Sequence, residues 1–136
     1  MTITHRIRFN ILAKDVDESV RFYQRIAGMI EVETHTWLRV LTLPGDTHFE
    51  LGLIDEVSEF VPRAARGIAE GAYLTLLVDN VSAAVQAAFD EGVEIVEEPR
   101  GDAYLAHAVI RDPNGVVIEL ATPAAVNKRP PVETIA

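Results

Sequence analysis

Ile7, Phe9 and Ile11 alternate with Arg8, Asn10 and Leu12, a period of two that predicts a strand covered on one face. The period then changes. Val16, Val20, Phe22, Tyr23 and Ile26 recur at roughly helical spacing behind an N-cap carboxylate, Asp15 or Asp17, and Gly28 stops the turn. That pattern predicts a helix over 17–27. Three strand-like runs follow, at 29–33, 37–43 and 47–53, with Pro44-Gly45-Asp46 as the turn before the last. The order is β-α-β-β-β.

The same order returns downstream. Asp15-Val16-Asp17-Glu18-Ser19-Val20 resembles Asn80-Val81-Ser82-Ala83-Ala84-Val85 at an offset of 65 residues. Phe49-Glu50-Leu51 resembles Ile118-Glu119-Leu120 at an offset of 69, each placing a lone carboxylate between apolar neighbours. A repeated unit sets the architecture before any single residue is interpreted. The second copy reads as a strand at 73–78, a helix at 83–90 ended by Gly92, and strands at 94–97, 105–111 and 116–121. Asp112-Pro113-Asn114-Gly115 is a hairpin turn in which Gly115 supplies the positive φ. Module one is expected over about 6–53 and module two over about 73–122, within one α+β domain. The connector, 54–72, is expected to be a plain linker, or else a lid or crossover with a helical turn near 62–68. The tail, 123–136, carries Pro123, Pro130 and Pro131 and is expected to fray or to act as an exchanged arm.

Composition narrows the partners. Twelve Lys and Arg against twenty-one Asp and Glu give a net charge of −9, whereas a phosphate-binding surface needs clustered positive charge, so no nucleic acid is expected. The same negative field favours a cationic guest. No apolar run is long enough to span a membrane, and no membrane partner is expected. With no cysteine there is no disulfide, thiolate zinc site or cysteine nucleophile. The polar start Met-Thr-Ile-Thr-His-Arg has no apolar signal core, so a cytoplasmic location is expected.

The paired modules, the first strand leading into Asp15-Val16, the helix with Ser19, Phe22 and Tyr23, and the hairpin Asp-Pro-Asn-Gly-Val-Val-Ile-Glu-Leu over 112–120 together resemble the vicinal oxygen chelate superfamily. This is the group of glyoxalase I, bleomycin-resistance proteins, fosfomycin-inactivating thiol transferases and extradiol dioxygenases. The resemblance covers roughly residues 6–122. It implies two β-α-β-β-β modules forming a curled mixed sheet cup, with helices outside and the ligand or metal inside. It also implies a homodimer.

In the metal-dependent members a metal ligand, usually His, stands seven residues before the Asp that opens the helix. Here that position is Arg8, and its counterpart counted back from Asn80 is Tyr73. A guanidinium stays protonated and has no lone pair to offer a cation. A phenol is a poor ligand near its ordinary pKa of about 10. Only Glu50 and Glu119 of the implied ligand set remain, so no metal and no cofactor are expected. Two inward carboxylates need a partner, and Arg8 is expected to pair with Glu119 or with Glu50. Such a pair is read as an electrostatic plug or as part of a ligand site.

Strand parity extends the candidate face. Asn10 shares it with Arg8, His48 and Gly52 share it with Glu50, and Thr75 shares it with Tyr73. The implied hairpin parity brings Leu105, His107 and Val109 beside Glu119. His107 is a hydrogen-bonding contact, or the one nitrogen that could rescue a metal site. Trp37, the only tryptophan, and Tyr104 are candidates for stacking at a rim, the alternatives being core burial and plain solvent exposure. His5 and His35 receive no role. The candidate ligand-binding set is therefore Arg8, Asn10, Trp37, His48, Glu50, Tyr73, Thr75, Tyr104, His107 and Glu119.

Two function classes follow. One is a non-catalytic protein sequestering a small aromatic or peptidic natural product, as the antibiotic-binding members of the resembled family do. The alternative is an enzyme: a metal-dependent isomerase, lyase or dioxygenase with an unusual ligand set, or a metal-free lyase using Glu50 or Glu119 as general base. An adjacent guanidinium opposes the last of these, since it stabilises the charged carboxylate that a base must readily give up.

Overall fold

A computed structural model describes residues 2–46, 48–67 and 71–127. In order they form β1 (Ile7–Ala13), α1 (Val16–Ala27), β2 (Ile30–Thr34), β3 (Leu38–Thr42) and β4 (Phe49–Asp55). A 3-10 turn at Arg63–Ala65 leads to β5 (Leu74–Leu77), α2 (Val81–Asp90), β6 (Ile95–Arg100), β7 (His107–Arg111), β8 (Val117–Ala121) and α3 (Pro123–Asn127). The strands make two four-stranded mixed sheets, ordered β1-β4-β3-β2 and β5-β8-β7-β6. In each, the first and last strands of the module run parallel and the rest antiparallel. The α+β class and the doubled β-α-β-β-β order are therefore as the sequence predicts.

Contacts divide the chain into two units: residues up to 72 together with the turn 112–116, and 73–111 together with 117 onward. In the first unit α1 is capped by Asp15, whose carboxylate accepts from the Glu18 N–H at 3.1 Å, and stopped by Gly28 at φ 65°. Its face of Val20, Phe22, Tyr23 and Ile26 is buried with Ile11, Leu41, Leu51 and Leu53 from the sheet. Complete burial of such a side chain stabilises by roughly 1.5–3 kcal/mol. The other face of the sheet is apolar at one end only, where Leu38, Val40 and Ile54 pack with Val61, Leu12 and Trp37.

Val61 belongs to the connector, whose residues 54–67 carry their own hydrogen bonds. The Arg66 guanidinium donates to the carbonyls of Glu56, Ser58 and Val61 at 3.3, 3.0 and 3.4 Å, and the expected helical turn is the short 3-10 segment beside it.

The turn 112–116 is a second anchor inside the first unit. Asp112 accepts the N–H groups of Asn114 and Val116, each at 2.8 Å, and the Tyr23 hydroxyl at 2.8 Å. Asn114 donates to the Ser19 hydroxyl at 2.9 Å and accepts the Lys14 N–H at 3.1 Å. Burial pushes the Tyr23 phenol well above its ordinary pKa, with the Asp112 charge adding to the effect. Burial also raises Asp112, against the pull of its donors.

In the second unit Asn80 caps α2 by accepting the Ala83 N–H at 2.9 Å. Val81, Ala84, Val85 and Ala88 of that helix are buried, as are Ala108, Ile110, Ile118 and Leu120 of the sheet. Three boundaries of this unit depart from the sequence expectation by two residues or more, the first at α2, which starts at Val81 rather than 83. β7 starts at His107 rather than 105, because the Asp102 carboxylate accepts the N–H groups of Tyr104 and Leu105, both at 2.9 Å, and holds them in a loop. β6 runs through Pro99, which an edge strand with irregular register accommodates. α3 is an unexpected element at the start of the tail, with Pro123 at its first position and the Thr122 hydroxyl accepting the Ala125 N–H at 3.3 Å. The tail beyond 127 lies outside the described residues.

Candidate functional site

In the first unit β1 and β4 lie in a register that pairs Arg8 with Glu50 and Asn10 with Gly52. Glu50 is 4% exposed, and a buried carboxylate is costly unless its oxygens are engaged. Both are. Arg8 donates from Nε to Oε1 at 3.0 Å, and Arg6 donates from Nη1 to Oε2 at 2.9 Å. Of the two pairings expected for Arg8, the one with Glu50 is formed. The sequence reading missed Arg6, although its parity with Arg8 and Asn10 marks it for the same face.

Arg8 also reaches across the sheet. Its Nη2 stands 3.8 Å from an oxygen of Glu33 on β2, and that same oxygen is 3.6 Å from His35 Nε2. Gly52 makes the crossing feasible, because a Cβ there would collide with Asn10 Oδ1 and lie 3.1 Å from Arg8 Cδ. Beyond Glu33, the rings of His35 and Trp37 are stacked at 6.0 Å and 26°, and Phe60 lies 4.6 Å from Trp37. Thr34, His35, Thr36 and Trp37 line an open depression of about 550 Å³. Trp37 packs on the apolar cluster, the core alternative, with His35 and Phe60 as ring neighbours. His35, to which the sequence assigned no role, belongs to this step.

His48 does not join Glu50. β4 begins one residue later, and the His48 side chain is 87% exposed, 4.0 Å from Asp46. Parity holds only inside a strand. Thr47 lies outside the described residues.

The second unit builds a different site around its carboxylate. Thr75, in register with Glu119, donates its hydroxyl to Oε1 at 2.9 Å, and His107 Nε2 faces Oε2 at 3.0 Å. His107 and Val109 share the Glu119 face, as expected, whereas Leu105 precedes the strand. The counterpart of Arg8 is therefore Thr75, not Tyr73. Tyr73 precedes β5 and is 63% exposed. Counting back from the helix cap misplaces it because Thr75 stands five residues before Asn80 while Arg8 stands seven before Asp15. Tyr104 is exposed beside a pocket of about 390 Å³ that includes Asp79, Thr122 and Pro123, and its carbonyl accepts the Thr122 hydroxyl at 2.7 Å.

Neither unit by itself fits a divalent metal. A cation at Glu50 would have to displace two guanidiniums, which bring charge and no lone pair. Around Glu119 there are one imidazole and one carboxylate, where a zinc site takes at least three protein ligands. Among the described residues no three His, Asp or Glu side chains cluster as a metal would require.

A family model described as the Glyoxalase/Bleomycin resistance protein/Dioxygenase superfamily matches residues 5–120. The chain belongs to this superfamily. Among solved structures, an integron cassette protein from the mobile metagenome of V. cholerae is 29% identical with a TM-score of 0.61, the match covering 90% of this chain and 98% of that one. TnmS3, described as an antibiotic binding protein from Streptomyces sp. CB03234, is 24% identical over 90% of this chain and 98% of its own, with a TM-score of 0.60. A superfamily enzyme from Burkholderia phytofirmans PsJN is 22% identical over 85% and 95%, with a TM-score of 0.68. The last two likenesses are of fold. No curated protein gives a significant match. Superfamily membership is a statement about fold; what Glu50 and Glu119 do depends on their neighbours in this chain.

Proposed function

We propose that this superfamily member is a non-catalytic small-molecule binding protein that sequesters an aromatic or peptidic natural product, a reading supported by the likeness to TnmS3, described as an antibiotic binding protein. The observation that carries the reading is the saturation of Glu50. Both of its oxygens accept from guanidiniums, so it is not available as a metal ligand, and a carboxylate held in that way is poorly placed to take a proton from a substrate. The His35–Trp37–Phe60 step offers aromatic area instead, next to polar groups that can orient a guest. A homodimer and a cytoplasmic location are part of the proposal; Ile30 and Val32, exposed on the edge strand β2, suit a covered edge.

One observation favours a second reading. His107 against Glu119 has the form of an imidazole oriented by a carboxylate, the arrangement of a metal-free acid–base catalyst. The two readings separate on a single experiment. The protein is titrated with a panel of planar aromatic antibiotics while Trp37 fluorescence is followed, and the compounds are then recovered by chromatography. Saturable quenching with every bound compound returned unchanged supports sequestration. Conversion of any of them, or a full equivalent of a divalent ion retained through dialysis, overturns it.

A further inference from the structure

We propose that the face of the first sheet opposite α1 seats an anionic oxygen group of the guest on the guanidiniums of Arg6 and Arg8. This rests on the small-molecule reading above and adds the class of group that the molecule carries.

Charge counting comes first. One buried carboxylate faces two guanidiniums, and the second charge is offset only by Glu33, half exposed and 3.8 Å away. The bonds to Glu50 engage one N–H of each guanidinium, out of the five that the planar fork carries. Glu33, the other carboxylate within reach of Arg8, stands at 3.8 Å, beyond hydrogen-bond distance, and is about half exposed. Such a contact is weak and readily exchanged. Glu50 therefore acts as a buried brace, holding two long side chains in place so that a guest does not have to order them. Gly52 lets the Arg8 and Asn10 side chains lie close over the sheet, in space that any Cβ would take from them.

The seat is continuous with the aromatic step. Arg8, Glu33, His35 and Trp37 follow one another at 3.8, 3.6 and 6.0 Å. A planar ring on the step can carry a carboxylate, phenolate or sulfate toward Arg8, where the fork geometry recognises paired oxygens. The net charge of −9, read across the whole chain, argues for a cation. At physiological salt, however, charges beyond about 8 Å are screened, so the adjacent guanidiniums decide what binds here.

The test is an NMR titration of the full chain with sodium benzoate, read at the arginine Nε–H and Trp37 indole N–H signals, with matched sodium chloride, benzyl alcohol and benzylammonium as comparisons. We expect saturable, benzoate-specific shifts at Arg6 and Arg8. Arg6→Gln should weaken benzoate about tenfold, and Glu33→Gln should tighten it about threefold by removing a competing carboxylate. Both positions are solvent-accessible, so the variants should fold. Benzoate shifts no larger than those of chloride, or equal affinity in R6Q, overturn the oxyanion seat. Benzyl alcohol or benzylammonium moving the indole signal while the arginines stay silent also overturns it, and leaves the aromatic-binding reading standing. Arginine shifts without an indole response support the seat and count against the aromatic step as part of the guest site.

Discussion

Glu50 and Glu119 occupy the same place in two copies of one module, yet their surroundings differ in kind. Glu50 is buried under two guanidiniums; Glu119 is shared by a hydroxyl and an imidazole. Two residues further along each strand, the first copy has Gly52 and the second Ala121. The comparison teaches that the backbone fixes where a carboxylate enters the sheet face, while the partner opposite it in the parallel ladder decides its chemistry. An arginine partner buries the acid under guanidiniums. A threonine partner leaves one oxygen to a histidine nitrogen.

Removing the acids should expose this difference most strongly. Glu50→Ala strands two guanidiniums, one of them only partly exposed, and should cost about 2 kcal/mol in urea unfolding. Glu119→Ala removes the acceptor that meets Thr75 and His107 and should cost about 1 kcal/mol. Equal losses would erase the distinction between an acid held by two guanidiniums and one held by a hydroxyl and an imidazole. Gly52→Ala comes next: its Cβ collides with Asn10 Oδ1, so about 1–2 kcal/mol should be lost and the Asn10 amide NMR signals should move. Ala121→Gly, the reciprocal change, should cost no more than about 1 kcal/mol, from chain entropy.

Asp112 supplies a third carboxylate, served by donors and no cation. Burial raises its pKa, so its stabilising contribution is fully present below the unfolded value and declines as pH rises through the folded one. Tyr23→Phe removes a donor that favours the ionised form, at a cost of about 1 kcal/mol. The melting-temperature gap between Y23F and the parent should therefore be wider at neutral pH than in acid; a gap independent of pH would mean that Tyr23 does not serve the charge.

The smallest effect is expected at Glu31. The hydrogen bond from Arg39 holds its carboxyl below the ordinary 4.5, so its stabilisation is present above that value and lost as pH falls through the lowered one. Glu31→Gln should flatten the acid limb of the melting curve by about 0.5 kcal/mol. Its lack of effect would confine strong carboxylate pairing to the opposite face, at Glu50.

The site was only partly legible in the chain. The resemblance singles out Arg8, Glu50 and Glu119 and supplies the hairpin parity of His107, and strand parity adds Asn10 and Thr75, because a strand presents alternate residues to one side. Parity fails at His48, Tyr73 and Leu105, which sit just outside their strands. Arg6 shares the parity of Arg8 and was passed over, while Glu33 was missed because which carboxylate a long side chain meets depends on strands distant in sequence.

What the sequence determined by itself is the repeat, the periods, and the ends of the first helix, at Asp15 or Asp17 and at Gly28, all of which act within a few residues. Only the tertiary structure decided the ladder register that sets Thr75 opposite Glu119, the choice of Glu50 as the partner of Arg8, and the gathering of Glu33, His35, Trp37 and Phe60. Local steric and hydrogen-bond preferences are written in neighbouring residues, whereas ion pairs and ring contacts form between segments that meet only once the sheet has closed.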